Sequence, residues 1–462
     1  MVKRIFEIVT YLGISLYTLA AILVSLHRFW QFEVFYYDFG IFDQAIWNVA
    51  HFRPPIIDHF VIGGKWIFAD HFSPSIFLLS PLYWITSRPE ILFIAQAVAV
   101  GLSGLFLYKI GVLTVKNRFL SAAVTASYLL FVGTQNALIS DIHEVTFMML
   151  PLMLCFYYVM TNRIKAFWIA FLITLGFKES AGFLGVGIAI FLFFFNKKYR
   201  LTAAIVAVLS IGWAVATTQW IIPAFYGRQY FYTPTLSHNV FELIRSFADT
   251  PEKRHTLFIS LVSFGFYPLF SPVTWPLILQ DIAARFLQHE FPLRYTLGLH
   301  YSTQLAVILG VSSMLGLKHL LSRLKSVVWP LSFGIYLLLL SVFLHQFKLH
   351  GPLGLSYNPA FYRHTKDFAF LDSLLTKVPK GRTVMTQNNI APHLIHTNSV
   401  YLLRAVYDDF MPQYFVLDLR EGQNFNDFFG ADIEALKLTL PHDIRYEVFY
   451  KNGDQIIYKR KI

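Results

Sequence analysis

The sequence predicts an all-α polytopic membrane protein that carries a small α/β domain at its C-terminal end. Of its 462 residues, 56% are hydrophobic and only 14% are charged. Long apolar runs, for example AGFLGVGIAIFLFFF and SFGIYLLLLSVFL, lack the polar face of a helix at a protein–water surface. From about residue 355, short β-rich runs alternate with polar helical segments. These features weigh strongly against a soluble protein with one large core.

The apolar runs predict about eleven membrane-spanning helices, judged against the roughly 20 apolar residues that a crossing needs. The first span, near residues 5–26, has no small-residue cleavage site after it and is predicted to stay uncleaved. Eight further spans are predicted near residues 90–108, 119–137, 145–161, 166–177, 181–195, 201–221, 302–317 and 328–345. A hairpin of two short or broken helices near 257–286 completes the set.

The basic residues predict the orientation of these spans. Short cytoplasmic loops collect Lys and Arg, and placing Lys3 and Arg4 inside puts the clusters KIGVLTVKNR, TNRIK, NKKYR and LKHLLSRLK on the same side. We therefore expect a multi-pass protein of the cell membrane with a cytoplasmic N-terminus and an extracytoplasmic C-terminus. The net charge of +11 then reflects orientation in the lipid bilayer and does not indicate a nucleic-acid partner.

One apolar stretch, SPSIFLLSPLYWI at residues 73–85, is bounded by Pro and too short for a comfortable crossing. We interpret it as a juxtamembrane or re-entrant segment, so that residues 27–89 form one outer loop. If it crossed fully, every later basic cluster would change sides.

The C-terminal residues 355–462 are predicted to form a separate small extracytoplasmic domain after a transmembrane module of residues 1–350. KNGDQIIYK is typical of a hairpin end. The region has no G-x-G-x-x-G loop, so we do not expect it to bind a nucleotide cofactor.

With this topology, acids, histidines and a lysine from loops far apart in sequence meet at the outer membrane face. Charged groups at membrane depth are costly and are usually functional or paired. The candidates are Asp38 and Asp43 in FEVFYYDFGIFDQAIWN, Asp70 and His71, Asp141 and His143, Lys178 and Glu179, and His300 with Tyr301.

Two kinds of chemistry suit these residues. A carboxylate among aromatic rings can act as a general base for an attacking hydroxyl, while the rings offer a surface to a sugar or lipid. Alternatively, the Asp/His pairs in DHF, ADHF and DIHE supply ligand types for a divalent metal, although no H-E-x-x-H spacing appears. The metal is the minority interpretation, and no cofactor is firmly predicted.

Structural roles are the competing explanation for several candidates. Asp38 could cap a short helix at DFGIF, and Lys178 and Glu179 could form a local ion pair. Asp58 and His59 fit ordinary polar loop residues. Asp43 is interpreted either as a supporting group or as a ligand for substrate or metal.

The motifs YYDFGIFDQAIWN, DHFSP, DIHEVTF, FKESAG and LHYS, in that order, resemble the prokaryotic integral-membrane family called domain of unknown function 2079. The resemblance covers most of the chain. That family is in turn similar to the GT-C superfamily of membrane glycosyltransferases, and this second likeness rests on topology and on the acid after the first span.

The resemblance implies a GT-C-like fold, an essential Asp in the first outer loop, and a sugar donor carried on polyprenyl phosphate. Asp38 takes the position of that Asp, and residues 73–85 that of a juxtamembrane helix. The chain departs from the family pattern at Glu144, where Pro is usual, and at Ser180, where an Asp is usual. The missing acid weakens a metal role there and leaves Lys178 as a partner for the donor phosphate.

The function predicted from this resemblance is transfer of a sugar from a polyprenyl-phosphate donor to an extracytoplasmic glycan, lipid or protein, with Asp38 as general base. Lys178 and His143 or His300 would neutralise the phosphate leaving group, and the other candidates would bind substrate. The alternatives are a transporter or lipid flippase, and a non-catalytic membrane scaffold. The transporter is disfavoured because the two halves of the chain show no repeat.

Overall fold

The computed structural model describes residues 2–58, 62–232, 239–287, 291–324, 326, 328–404, 406–423 and 433–461. It is mostly helical and ends in a small sheet. The chain forms two compact units. The first comprises Met1–Val24, Phe68–Ile76 and Phe93–Ser356; the second comprises Ser25–Ile67, Phe77–Leu92 and Tyr357–Ile462.

Nineteen α-helices are found in the described residues. In chain order they are α1 (Val2–Trp30), α2 (Ile41–Ala50), α3 (Glu90–Thr114), α4 (Arg118–Leu130), α5 (Val132–Ile139), α6 (Glu144–Phe147), α7 (Met149–Met160), α8 (Ile164–Leu175), α9 (Ala181–Phe195), α10 (Arg200–Val215), α11 (Ile222–Tyr226), α12 (Val240–Arg245), α13 (Pro251–Ser263), α14 (Trp275–Phe286), α15 (Thr303–Arg323), α16 (Val328–Phe343), α17 (Pro359–His364), α18 (Ala369–Leu375) and α19 (Ile433–Thr439).

Shorter turns of helix connect these elements. The π-helices are Tyr36–Gly40, Ala216–Ile221 and Leu344–Lys348. The 3₁₀ helices are Ile67–Ala69, Pro74–Trp84, Lys197–Tyr199, Tyr267–Phe270, Pro272–Thr274, Pro292–Tyr295, Pro352–Tyr357, Thr365–Phe368, Ala391–His393 and Leu440–His442.

Several helices are long and apolar enough to cross a membrane, which confirms the prediction of a polytopic membrane protein. They are Arg4–Trp30, Glu90–Thr114, Lys197–Tyr226, Thr303–Arg323 and Val328–Lys348, with a sixth if α4 and α5, bent by 48°, count as one span. Three shorter apolar helices, Glu144–Met160, Ile164–Leu175 and Ala181–Phe195, lie where further spans were expected. The count of eleven stays a prediction.

Helix α15 is the centre of the first unit. Almost every side chain from Leu305 to Leu317 is buried, and the helix packs against α4, α7 and α14. In contrast, α10 and α16 expose rows of large apolar side chains, such as Leu201, Val208 and Leu339. An apolar surface of this kind is typical of a face that contacts lipid.

The apolar stretch at residues 73–85 forms the 3₁₀ helix Pro74–Trp84. At about 2 Å per residue, 11 residues of 3₁₀ helix span roughly 22 Å, which is less than the hydrocarbon core of a bilayer. It is not among the spanning candidates in the described part of the chain.

The second unit contains a five-stranded sheet in the order β4-β3-β5-β7-β6. The strands are β3 (Thr383–Thr386), β4 (Ser399–Leu402), β5 (Tyr414–Asp418), β6 (Tyr446–Asn452) and β7 (Gln455–Arg460), and a short ribbon pairs β1 (Ile56–Ile57) with β2 (Lys65–Trp66). β3 is parallel to β4 and β5, whereas β7 is antiparallel to β5 and β6. This sheet confirms that the C-terminal region contains β-structure.

The predicted hairpin end is present between β6 and β7. Asn452 pairs with Gln455, and Gly453 between them has a φ of 58°, a left-handed value that suits glycine. Below the sheet, Met385, Phe415 and Leu417 pack with Leu436 of α19 and Tyr446 of β6 in one apolar core.

Candidate functional site

The two units divide the predicted site residues between them. Asp38 and Asp43 belong to the second unit, and the other eight belong to the first. In the first unit, the structure brings together a group of charged and aromatic side chains that we call the ionic cluster. It consists of Asp70, His71, His143, Glu144, Lys178, Glu179, Tyr230, Tyr232 and His300.

His71 and Glu179 form the first pair of the ionic cluster. His71 Nδ1 lies 3.0 Å from Glu179 Oε1. The backbone N–H of Phe72 donates to Glu179 Oε2 over 3.3 Å, and the Tyr230 hydroxyl donates to Oε1 over 2.9 Å. Glu179 is buried, yet both of its oxygens have hydrogen-bond donors, which satisfies the requirement for a buried carboxylate.

The protonation states of this pair follow from these contacts. Burial raises the pKa of Glu179, but the charge and hydrogen bond of His71 and the charge of Lys178 outweigh burial and lower the pKa to about 2. Burial and Lys178 lower the pKa of His71, but Glu179 and Asp70 outweigh them and raise it overall. We therefore expect Glu179 to be charged near neutral pH and His71 to keep its proton to higher pH than a free histidine does.

A close approach of two backbone segments brings His71 next to Glu179. Ser75 lies shortly after His71 in the chain, and Gly176 lies shortly before Glu179. The Ser75 N–H donates to the Gly176 carbonyl oxygen over 2.8 Å. A Cβ atom at Gly176 would meet the Ser75 hydroxyl, so a larger residue at this crossing would require the Ser75 side chain to move.

Lys178 and Glu144 form the second pair. Lys178 Nζ donates to Glu144 Oε1, and the Glu144 side chain is buried at the start of α6. The Trp213 indole N–H donates to the Lys178 carbonyl over 3.1 Å. Burial lowers the pKa of Lys178, but Glu144 and Glu179 outweigh burial and raise it, so the amine is charged. Lys178 and Glu179, for which a local ion pair was the structural alternative, thus bond to different partners.

Asp70 and two aromatic residues border the first pair. The Tyr232 hydroxyl donates to Asp70 Oδ1 over 3.2 Å, and its ring stacks on His71 with the ring centroids 5.1 Å apart. The Arg294 guanidinium lies 5.3 Å from the centre of the Tyr232 ring. Tyr232 therefore links an acid, a histidine and an arginine.

His143 and His300 face each other, with ring centroids only 3.5 Å apart. Both side chains are buried, and His300 Nδ1 has no hydrogen-bond partner among the described residues. Burial, together with the charges of His143 and Lys178, holds the pKa of His300 well below its usual range. His300 is therefore neutral at pH 7, with one ring nitrogen as donor and the other as acceptor. Tyr301 lies against the His300 ring at 4.3 Å.

The two loops that present these histidines have unusual backbones. Asp141 has a φ of 51° and Leu299 a φ of 53°, and left-handed values of this kind are uncommon outside glycine. Gln96 of α3 holds the first loop: its side-chain amide donates to the carbonyl oxygens of Leu138 and Asp141 and accepts from the His143 N–H.

Arg285 of α14 holds the second loop. Its guanidinium donates to the carbonyl oxygens of Arg294 and Thr296, each over 2.7 Å, and to the Ser302 hydroxyl over 3.2 Å. Asp281, one helical turn earlier, pairs with it. Sequence reasoning missed Gln96, Arg285, Tyr230 and Tyr232; an Asp and an Arg four residues apart in an apolar helix was the available signal for Arg285.

The metal alternative finds no support in the ionic cluster. Across the residues that the structure describes, no three His, Cys, Asp or Glu side chains are grouped as a metal ion requires. His59, named with that alternative, lies outside the described residues.

In the second unit, Asp38 lies in the π-helix Tyr36–Gly40 and is half-buried. No hydrogen bond or ion pair joins its carboxylate to another described residue, and it does not cap either neighbouring helix. Asp43 differs: it is fully buried, accepts a hydrogen bond from the Tyr83 hydroxyl and lies 3.0 Å from His396 Nε2. These contacts favour the supporting role for Asp43.

The chain matches the family described as predicted membrane protein, DUF2079, over residues 28–447. It belongs to the DUF2079 family. The matched region contains all ten predicted site residues, includes β3, β4 and β5, and ends near the start of β6. No curated protein matches the chain. The motif resemblance to DUF2079 is thus confirmed, and the residues above are those of a DUF2079 protein.

Proposed function

We propose that this DUF2079 protein is a membrane glycosyltransferase of the GT-C kind, with about eleven spans, in the cell membrane. It would transfer a sugar from a polyprenyl-phosphate donor to an extracytoplasmic glycan, lipid or protein. The observation that carries the proposal is the carboxylate of Asp38, which follows the first span and has no partner among the described residues, while Asp43 and Glu179 are paired with other side chains.

An unpaired carboxylate suits a general base, because it can accept a proton without first breaking an ion pair. In the proposed step, the acceptor hydroxyl oxygen attacks the anomeric carbon, and its proton passes to Asp38. The bond between that carbon and the phosphate oxygen breaks, and the phosphate leaves on its lipid. A single displacement of this kind inverts the anomeric centre.

The ionic cluster is proposed to bind the donor phosphate. Lys178 and His71 supply positive charge, and the neutral His300, with His143, supplies ring N–H donors. Lys178 is bonded to Glu144, so an incoming phosphate would replace Glu144 as its partner. Asp70, Asp141, Glu179 and Tyr301 would shape this phosphate site, and Asp43 would support the segment of Asp38.

The proposal is tested by comparing wild type with Asp38→Asn in membranes supplied with a panel of labelled polyprenyl-phosphate sugars. We expect the variant to lose at least about a hundredfold in rate, which is the usual contribution of a general base. Asp372→Asn is the matched control, because Asp372 is an exposed acid of the same unit, in α18.

Equal transfer by Asp38→Asn and wild type would remove Asp38 from the chemistry. The glycosyltransferase proposal would be rejected in favour of a flippase by a different result. In that case wild type would transfer sugar from no donor but would move labelled lipid between the leaflets of vesicles.

A further inference from the structure

We propose that the loop between β3 and β4, residues 387–398, holds the segment of Asp38 in its working position, with Asn388 as the positioning residue. The catalytic part of this inference rests on the proposed function. The structural part rests only on contacts within the second unit.

Asn388 bonds to both residues that precede Asp38. The Tyr36 N–H donates to the Asn388 carbonyl oxygen over 2.9 Å, and the Tyr37 N–H donates to Asn388 Oδ1 over 3.0 Å. Tyr36 and Tyr37 begin the π-helix, and the first N–H groups of a helix have no partner within it. Phe35, at the N-cap position, makes no side-chain bond to the helix. Asn388 therefore caps the helix of Asp38 from a distant part of the chain.

The same loop contacts the chain on both sides of Asp38. Before it, the His393 ring lies between Phe29 and Phe32, with centroid distances of 4.2 Å to each. After it, the His396 ring is stacked on Trp47 at 4.0 Å and pairs with Asp43. Three residues of one loop thus fix the segment 29–47 at three points.

Asn388 lies just beyond the end of strand β3, where the order of the strands reverses. In the order β4-β3-β5, the chain leaves β3 to one side for β4 and then crosses to the other side for β5. Open α/β sheets bind their ligands outside the carboxyl ends of the strands at this kind of reversal. Asn388 lies two residues beyond the end of β3, and there it binds the chain's own Tyr36–Gly40 segment.

Gln387, beside Asn388, is held firmly. Its amide donates to the Asp418 carbonyl oxygen, and its Oε1 accepts from the Asp418 N–H, each over 2.8 Å. These bonds tie the ends of β3 and β5 together. Asn388 therefore projects from a rigid edge, which is the support that a positioning residue requires.

The test uses the full-length protein in lipid nanodiscs and measures hydrogen exchange of the peptide that contains Tyr36 and Tyr37. Asn388→Ala should accelerate exchange there about tenfold, since one capping interaction is lost. Asn388→Asp keeps the side-chain acceptor and should restore protection. Asn398→Ala is the matched control: Asn398 is equally buried, but its amide donates to the carbonyl oxygens of Pro379 and Arg382, before β3 begins.

In the transfer assay, Asn388→Ala should lower kcat about tenfold with little change in KM for the donor. Asn388→Asp should move the acidic limb of the pH profile of kcat/KM to higher pH, because a nearby negative charge raises the pKa of a carboxylate base. A purely structural role for Asn388 would instead lower the amount of folded protein in Asn388→Ala and leave kcat per folded molecule unchanged.

Unchanged exchange in Asn388→Ala would overturn the positioning role, whatever the activity. Faster exchange in Asn388→Ala but not in Asn398→Ala would support it. If that result came with no sugar transfer by wild type, the positioning role would stand and the proposed function would fail, so the two failures are distinguishable.

Discussion

Lys178 and Glu179 are neighbours in the sequence, yet each bonds to a residue from a different part of the chain. Lys178 pairs with Glu144, and Glu179 pairs with His71. Each of these four charged side chains is buried or nearly buried. Removing one partner of such a pair leaves an uncompensated charge, and the resulting loss of folding free energy exceeds the net contribution of the intact pair. At the scale of the residue, breaking either pair of the ionic cluster is therefore expected to destabilise the fold, and the proposed phosphate site uses the same charges.

Glu144→Gln tests this pairing. We expect it to lower the free energy of unfolding by about 3 kcal/mol, because the ammonium of Lys178 loses its counter-charge in a buried setting. Denaturant titration in micelles measures the change. The double variant Glu144→Gln with Lys178→Met should be less destabilised than the single one, since no charge is then left unpaired. A single variant as stable as wild type would show that water already reaches Lys178.

At the scale of the element, an ion pair between Asp43 and His396 joins helix α2 to the β3–β4 loop. Asp43 of α2 lies 3.0 Å from His396 Nε2, and the Ser87 carbonyl oxygen lies 3.1 Å from Nδ1. Tyr83 and Glu90 are the other titratable groups nearby. Burial lowers the pKa of His396, but Asp43 outweighs it, and the net pKa lies above 6.5.

A raised histidine pKa stabilises the folded state at low pH, and the gain is lost as pH rises through the folded pKa. We therefore expect this contact to contribute fully below pH 6.5 and to weaken at higher pH, once the pH passes the raised pKa. Thermal unfolding of wild type and His396→Gln between pH 5 and 9 measures this, and the difference between them should shrink as pH rises. A difference that is constant across the range would mean that His396 does not titrate between pH 5 and 9.

At the scale of the whole molecule, the positive-inside pattern predicts which side of the membrane each loop faces. Cys155 is the single cysteine of the chain and is buried, so new cysteines can be labelled against a low background. Asp454→Cys in the β6–β7 hairpin should react with an impermeant maleimide on intact cells. Lys165→Cys, in a predicted cytoplasmic loop, should react only after permeabilisation. The side chains of Asp454 and Lys165 are both exposed. The reverse pattern would invert the topology.

The sequence by itself determined the membrane class, the C-terminal β-structure and the family. These follow from composition, from apolar runs whose length matches a bilayer, and from motifs that are continuous in the chain, such as YYDFGIFDQAIWN. The candidate acids and histidines could also be picked out from the sequence, because charged groups at membrane depth are costly and therefore rare.

The partners of those residues were decided only by the tertiary structure. Glu144 reaches Lys178 across 34 positions, and Asn388 reaches Tyr37 across 351, and no local pattern encodes such distances. The 48° bend between α4 and α5, within what the sequence predicted as one span at 119–137, is likewise seen only in the structure. Asp38 and Asp43 look alike in the sequence. Burial and two neighbours occupy Asp43, while Asp38 has no bonded neighbour among the described residues, and this difference arises only when distant segments fold together.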